Sequence, residues 1–208
     1  TRRVSDRRAC VLGKSVGRAD DRSEGAVKSG RRQVREECLA AATVAGALFS
    51  LTVPMGGCKT YSSMDVALKR AVQNPEIRRI IVVIPFLSII EQNAAVYRSV
   101  FGDGVIVEHH SGAFGTSEVS DDKYVNRARR TEFENWDAPI VITTSVRFFE
   151  CLFSNHPRDV RRLHNIARSI VILDEVQTLP RRYVEPTLSV LKGLADAWRT
   201  TFVFSTAT

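Results

Sequence analysis

Short apolar runs that alternate with amphipathic stretches constrain the fold of this 208-residue chain more than any other feature. The runs are LFSLTV, RIIVVIP, GVIVE, PIVITT, SIVILDE and TTFVFST. Most are rich in Val and Ile, which is typical of strands that are buried on both faces of a parallel sheet. We therefore predict an α/β fold, in which a parallel sheet carries helices on both faces.

Two of the intervening stretches have helical periodicity, with apolar residues three or four positions apart. The first stripe contains Ile90, Ala94, Tyr97 and Phe101. The second contains Val184, Leu188, Leu191, Ala195 and Trp198. We expect both stripes to face the sheet, and in such sheets ligands bind at the carboxyl ends of the strands.

Composition excludes several classes of protein. The chain is 44% hydrophobic and 25% charged, as in globular proteins, and no apolar run reaches the roughly 18–20 residues that span a bilayer. The first residues, TRRVSDRRACVLGKSVGRADDRS, have no apolar segment suited to a signal peptide. The cysteines form no CxxC pair and suggest neither a disulfide framework nor a zinc site. They are Cys10, Cys38, Cys58 and Cys151. We expect a reduced, cytoplasmic protein with no membrane partner.

The basic residues are concentrated near the start of the chain. The net charge is +7, and the first 32 residues hold ten Lys and Arg against four acids. Residues 1–30 lack periodicity and are predicted to form a basic linker or poorly ordered tail, either solvated or in contact with DNA. The ordered domain is expected to span residues 31–208, with a helix at its start.

The segment TVPMGGCKTYS resembles a phosphate-binding loop that runs from a buried strand into a helix. The usual pattern is G-x-x-x-x-G-K-[ST], whose backbone N–H groups surround phosphates. Gly56, Gly57 and Cys58 would form the loop, Lys59 would meet the β- and γ-phosphates, and Thr60 would hold Mg²⁺. By itself the pattern also fits an ordinary strand–turn–helix corner.

The segment SIVILDEVQTLP places Asp174 and Glu175 at the end of a buried apolar strand. Carboxylates in that position carry a large desolvation cost unless they have partners. Asp174 is positioned to hold Mg²⁺, and Glu175 to orient or deprotonate an attacking water. A capping role for Asp174 at the next helix is the simpler alternative, which the upstream phosphate loop disfavours.

Three segments follow one another along the chain: a strand with the phosphate loop, a strand with Asp174 and Glu175, and a strand that ends in Ser-Thr-Ala-Thr. This order resembles that of a superfamily 2 helicase. The chain resembles the first RecA-like domain of the CRISPR-associated helicase–nuclease of type I systems, from about residue 31 to residue 208. The segments that carry the resemblance are RRQVREECLAAA, LTVPMGGCKTYSS, VVIPFLSIIEQNAAVYRSVFG, VEHHS, ENWDAPIVITTSVRFFECLFSN, RRLHNIARSIVILDEVQTLP and FVFSTAT. The resemblance implies a RecA-like P-loop NTPase fold.

The resemblance also implies a set of site residues and ligands. Lys59, Thr60, Asp174 and Glu175 would bind and hydrolyse ATP with Mg²⁺, and Gln33 would contact adenine. Thr206, Ala207 and Thr208 would couple hydrolysis to movement. Residues that would grip single-stranded DNA through its backbone are Pro85, Ser88, Gln92, Thr143, Thr144 and Ser145. The implied partners are a guide-RNA surveillance complex and an HD nuclease domain. That nuclease domain and a second RecA-like domain are expected elsewhere in the full-length protein, so this chain alone should not unwind a duplex.

Two residues depart from the helicase pattern. Met55 stands where Thr is usual, and Cys58 where Gly lets the backbone approach phosphates closely. A side chain at Cys58 would introduce about 1–3 kcal/mol of strain. This leaves open a degenerate copy that binds nucleic acid or a partner without ATP turnover. A superfamily 2 ATPase that acts on RNA is a further alternative.

His109 and His110 form a pair that could suggest a metal site. No carboxylate partner stands at the spacing of an HD motif. A structural or surface role is therefore the expectation for both residues.

Overall fold

The computed structural model describes residues 26–53, 59–110 and 130–207. Its strands are β1 (Leu48–Val53), β2 (Arg79–Ile84), β3 (Ile106–His109), β4 (Ile140–Thr144), β5 (Ser169–Leu173) and β6 (Thr201–Ala207). Its helices are α1 (Ala26–Ala41), α2 (Lys59–Gln73), α3 (Leu87–Phe101), α4 (Ser145–Phe153), α5 (Pro157–Val160), α6 (Leu163–Ile166) and α7 (Arg181–Trp198). Residues 130–135 are also helical.

The six strands form one sheet in the order β1-β6-β5-β2-β4-β3, and each neighbouring pair is parallel. This confirms the predicted α/β fold with a parallel sheet. All of the carboxyl ends therefore lie at the same edge of the sheet, where ligands bind in folds of this kind.

The sheet separates two apolar cores, because successive side chains of a strand point to opposite faces. In β2, Ile80 and Val82 pack with α1, α2 and α3, whereas Ile81 and Val83 pack with α4, α6 and α7. All the residues of β2, β4 and β5 are buried. Strand β1 alternates between exposed and half-buried positions up to the buried Val53, as expected for an edge strand. Burial on both faces explains the unbroken apolar runs of the central strands.

The α3 stripe is confirmed, since Ile90, Ala94, Tyr97 and Phe101 are all buried. The α7 stripe is only half right. Its later residues pack on the sheet, with Leu191 fully buried, but Val184 and Leu188 are 37% and 42% exposed.

The reason for the exposed turns of α7 is length. Eighteen helical residues extend about 27 Å, whereas the five residues of β5 extend about 17 Å. The first turns of α7 therefore project past the end of β5, where the sheet cannot cover them.

The first helix begins earlier than expected. Helix α1 starts at Ala26, so the last five residues of the predicted tail are helical. The segment GAFGTSEVSDDK, residues 112–123, has the composition of a surface loop and lies outside the described residues. In the described ranges, no helix has the length and apolar character to cross a membrane.

Candidate nucleotide site at the carboxyl edge of the sheet

Lys59 and Thr60 are the first two residues of α2, which follows β1 across the predicted phosphate loop. The loop residues Gly56, Gly57 and Cys58, together with Met55, lie outside the described residues. The N-terminus of a helix favours anions through its unpaired N–H groups and its dipole. The described part of the motif therefore has the strand–helix setting that a phosphate loop requires.

The lysine and the two acids meet at this edge. Lys59 Nζ lies 3.3 Å from Asp174 Oδ1 and also forms an ion pair with Glu175 Oε1. The side chains of the three residues are between 15% and 25% exposed, so the charges are mostly shielded from water. Residues that are more than 100 positions apart in the sequence thus form one charged cluster.

The backbone around the acids is specialised. Asp174 N–H still bonds to the Val83 carbonyl at 2.9 Å, while Glu175 has a left-handed conformation with φ of 49°. Thr178 Oγ1 donates to the Glu175 carbonyl at 2.8 Å and closes the turn. A left-handed non-glycine residue is uncommon and marks a backbone held by its surroundings. Here it turns the Glu175 side chain back towards Lys59.

Gln177 connects the acids to β6. Its Nε2 donates to Glu175 Oε2, and its Oε1 accepts a hydrogen bond of 2.7 Å from Thr206 Oγ1. The hydrogen bond from Lys59 lowers the pKa of Glu175, and the one from Gln177 adds to this effect. The result is a continuous chain of side chains, Lys59–Glu175–Gln177–Thr206, across β1, β5 and β6.

Sequence reasoning did not assign Gln177, although it lies inside the DEVQTLP segment. Its position two residues after Glu175 was a usable signal, because the two acids needed a donor. Thr206, which was expected to couple hydrolysis to movement, is the residue that Gln177 contacts. Ala207 ends β6, and Thr208 lies outside the described residues.

Tyr97 supports the start of α2 from the neighbouring helix. Its hydroxyl donates to the Thr60 carbonyl at 3.3 Å, and its ring is 1% exposed. Burial, followed by the field of Asp174, raises the pKa of Tyr97, so the phenol stays neutral and remains a donor.

The residues that are predicted to contact nucleic acid lie at or after the ends of two adjacent strands, β2 and β4. Ile84 of β2 is in register with Thr144 of β4, so the segments that follow them begin side by side. Ser88 and Gln92 are exposed, and Pro85 and Ser145 are half-buried. Contact between these four residues and nucleic acid remains a prediction.

The two threonines of this group have structural bonds instead. Thr143 is fully buried, and its hydroxyl donates to the His109 carbonyl at 2.8 Å. Thr144 Oγ1 accepts from the Arg147 N–H at 3.1 Å and caps α4. The expectation that Thr143 grips the nucleic acid directly is therefore corrected: it fastens β3 to β4. Thr144 fixes the start of α4, beside Ser145.

Comparison with known proteins agrees with this arrangement. Residues 32–208 match the model of the family described as DEAD/DEAH box helicase. The chain belongs to that family. It is also similar to the CRISPR-associated nuclease/helicase Cas3 of Haloferax volcanii, with 25% identity over 213 residues, 91% of this chain and 23% of that protein. This helicase domain thus spans about a quarter of the length of that relative.

Gln33, the predicted adenine contact of the helicase domain, is exposed on α1 and donates to Glu37 Oε1 at 3.0 Å. Helix α1 is fixed to α2 by an ion pair of 2.5 Å between Arg35 Nε and Asp65 Oδ2. The contact between Gln33 and adenine remains a prediction.

His109 and His110 both lie close to other side chains of the protein. His109 is buried, its Nε2 lies 3.1 Å from an Arg162 nitrogen, and its ring contacts Phe133 at 4.6 Å between centroids. Burial, with added repulsion from Arg162, lowers the pKa of His109 to about 3. His110 Nε2 lies 3.6 Å from Glu108 Oε2. Within the described ranges, no group of three or more His, Cys, Asp or Glu side chains could hold a metal ion.

Proposed function

We propose that this helicase domain binds Mg²⁺–ATP at the carboxyl edge of β1, β5 and β6 and acts in ATP-driven movement on single-stranded DNA. The observation that carries the proposal is the convergence of Lys59 with Asp174 and Glu175. A lysine and two carboxylates are the groups that a phosphate–magnesium ligand requires: a cation for the phosphates and an acid for the metal.

Each residue has a distinct role in this proposal. Lys59, which pairs with the carboxylates in the structure, would contact the β- and γ-phosphates when ATP is bound, and Thr60 and Asp174 would hold Mg²⁺. Bound Mg²⁺ would neutralise phosphate charge and orient the terminal phosphate. Glu175, which keeps its hydrogen bond from Gln177 once Lys59 has left it, would accept a proton from the attacking water. A change in the protonation of Glu175 would then reach Thr206 on β6 through Gln177, which forms hydrogen bonds with both residues.

The similarity to Cas3 favours DNA as the nucleic acid. We propose that the domain is part of a type I CRISPR interference enzyme in the cytoplasm. It would work there with a guide-RNA surveillance complex, an HD nuclease domain and a second RecA-like domain for antiviral defence. The residues that precede α1 are proposed as the linker or arm before the motor domain.

Nucleotide binding by the chain itself tests the central proposal. Lys59→Ala should weaken Mg²⁺–ATP binding by about 10–100-fold, because a charge-assisted phosphate contact is lost. The wild type should bind ATP more tightly with Mg²⁺ than with EDTA. Asp174→Asn should remove most of that difference in ATP affinity. Lys69→Ala on α2 and Asp196→Asn on α7 are the matched controls, and both should bind as the wild type does. If Lys59→Ala and Lys69→Ala behave alike, Lys59 is not a phosphate ligand.

A second candidate function is favoured by Cys58, which stands where the phosphate loop normally has glycine. The domain would then bind nucleic acid or a protein partner with little ATP turnover. Relief of about 1–3 kcal/mol of strain in Cys58→Gly should tighten ATP binding by roughly tenfold or more. Absence of ATP binding by both the wild type and Cys58→Gly would support this second candidate.

A further inference from the structure

Ser205 is a buried serine near the carboxyl end of β6, one residue before the Thr206 that Gln177 contacts. It is fully buried, and its hydroxyl oxygen has no hydrogen-bond partner among the residues that the structure describes. A buried hydroxyl has lost its hydrogen bonds to water, so an unpaired one is unfavourable and requires an explanation.

The alternation of side chains along β6 fixes the face on which Ser205 lies. Successive side chains of a strand point to opposite faces of the sheet. Val203 packs in the core of α1, α2 and α3, whereas Phe202 and Phe204 pack in the opposite core. Ser205 therefore faces the layer of α1, α2 and α3, in which Lys59 begins α2.

The pairing of β5 with β6 places Ser205 beside Asp174. Leu173 and Phe204 are paired residues of the two strands, so Asp174 and Ser205 follow as neighbours. Asp174 continues the path of β5, because its N–H bonds to a carbonyl of β2 at 2.9 Å, and its ion pair with Lys59 shows that it faces the same helical layer. Adjacent strands lie about 4.8 Å apart, so a rotation of one side chain brings the hydroxyl and the carboxylate into hydrogen-bond range.

The donors around the Asp174 carboxylate would change when ATP binds. Lys59 Nζ and the Glu175 N–H lie 3.3 and 3.1 Å from Asp174 Oδ1. If Lys59 contacts the phosphates, Asp174 loses one of these two donors just when it has to face Mg²⁺. Carboxylates that bind a metal ion are held in direction by further hydrogen bonds. The Ser205 hydroxyl is beside this acid and has no other bond to break.

We propose that the Ser205 hydroxyl donates to the Asp174 carboxylate once Lys59 has left it, and so positions Asp174 for Mg²⁺. This inference rests on the proposed function, because it requires Lys59 and Asp174 to bind Mg²⁺–ATP. A hydroxyl suits the role, since it is neutral and leaves the charge of the acid available to the metal. Ser205 is a positioning residue: it acts through Asp174 and does not contact the phosphates.

Removal of one oxygen atom tests the proposal in the whole chain. Affinity for a fluorescent non-hydrolysable ATP analogue is measured with Mg²⁺ and with EDTA. Compared with the wild type, Ser205→Ala should bind about tenfold more weakly with Mg²⁺ and within about twofold with EDTA, because Asp174 acts through the metal. In the Asp174→Asn background the same change should have no further effect, since the residue through which it acts is already altered.

Thermal unfolding without nucleotide separates this role from a structural one. Ser205→Ala should unfold at the same temperature as the wild type or slightly higher, because no hydrogen bond is lost. The matched control is Ser169→Ala at the other end of β5. Ser169 is also fully buried, but its hydroxyl donates to the Ile166 carbonyl at 2.6 Å. This control should unfold about 2–4 °C lower, with an unchanged difference in ATP affinity between Mg²⁺ and EDTA.

The outcomes are distinguishable. A loss of affinity in Ser205→Ala that is confined to Mg²⁺, with an unchanged or higher unfolding temperature, supports the proposal. Wild-type affinity in Ser205→Ala, equal losses with Mg²⁺ and EDTA, or a further loss in the Asp174→Asn background overturns it while the proposed function stands. If the wild-type chain does not bind the ATP analogue, the proposed function fails and this inference fails with it.

Discussion

Gln177 was not assigned to the site from the sequence. Among such residues, it is the one on which the proposed site depends most. Its amide has a donor and an acceptor end, and the structure uses both. Asp, Glu or Leu at that position could not satisfy a carboxylate and a hydroxyl together. The residue therefore joins the acid that follows β5 to the strand that lies between β5 and β1.

A double-mutant cycle tests this link. Gln177→Leu and Thr206→Val should each lower the free energy of unfolding by about 0.5–1.5 kcal/mol, since each removes hydrogen bonds at a partly exposed site. The double variant should lose clearly less than the sum, because both changes break the same bond. Urea unfolding of the four proteins measures the coupling, with Gln73→Leu as an exposed glutamine control. Strict additivity would show that Gln177 and Thr206 act independently.

Buried polar groups hold single elements of the fold in place, and their partners show which atoms donate and which accept. At the end of β3, Arg162 can only donate, so His109 Nε2 accepts and the imidazole is neutral. The His109 carbonyl accepts from Thr143 of β4. The same residue thus fixes β3 to β4 through its backbone and to the α5–α6 connection through its ring.

His109 makes the stability of this corner depend on pH. Its pKa is about 3 in the folded protein and about 6.5 in an unfolded chain, so the unfolded state binds more protons between these values. Stability should therefore fall as the pH drops below about 6.5, and continue to fall until about pH 3. Between pH 7 and pH 5 the wild type should lose about 2 kcal/mol more than His109→Gln, in which an acceptor remains for Arg162. Urea unfolding at both pH values is the measurement, and equal losses in the two proteins would contradict the assignment.

The first turns of α7 show how an element can exceed the layer that supports it. Tyr183, Val184 and Leu188 are exposed, although they continue the apolar stripe of the buried half. A helical periodicity records which face is apolar, and it does not record where the supporting sheet ends. The difference between prediction and structure follows from the relative lengths of α7 and β5.

At the scale of the whole molecule, the excess of basic residues and the carboxyl edge of the sheet both favour binding to a nucleic-acid backbone. The net charge of +7 favours a polyanion without selecting a base sequence. Ser88 and Ser145 follow neighbouring strands β2 and β4, and no hydrogen bond of their hydroxyls to a described residue is found. Backbone contact by hydroxyls and cations is suited to single strands of any sequence.

Salt should weaken DNA binding in a manner that reflects these contacts. Neutralisation of about three to five phosphates predicts a loss of about one to two orders of magnitude in affinity for single-stranded DNA between 50 and 200 mM salt. Oligo-dT and a mixed sequence should bind within a few-fold of each other. Fluorescence anisotropy is the measurement, and a flat response to salt would exclude binding through phosphates.

Matched variants locate the surface. Ser88→Ala combined with Ser145→Ala should weaken binding at every salt concentration, whereas Ser99→Ala on the distal part of α3 should not. Thr143→Val should lower stability without a matching loss of DNA affinity, because its hydroxyl bonds inside the protein.

The sequence by itself determined the fold class and which charged residues meet at the carboxyl edge of the sheet. Runs of Val and Ile that alternate with amphipathic stretches favour strands buried on both faces, as in a parallel sheet between two helical layers. Lysine at the start of a helix and two acids at the end of a buried strand meet because parallel strands share a carboxyl edge. Lys59, Asp174 and Glu175 could therefore be grouped before any distance was known.

Only the tertiary structure decided how the remaining polar groups are used. Thr143 and Thr144 look like their half-buried neighbour Ser145 in the sequence, yet one hydroxyl bonds the His109 carbonyl and the other caps α4. Gln177 gained its role from β6, which lies between β5 and β1 although it comes last in the chain. Hydrogen-bond partners of this kind depend on which strands are neighbours and how far each helix extends, and local residue patterns do not encode either.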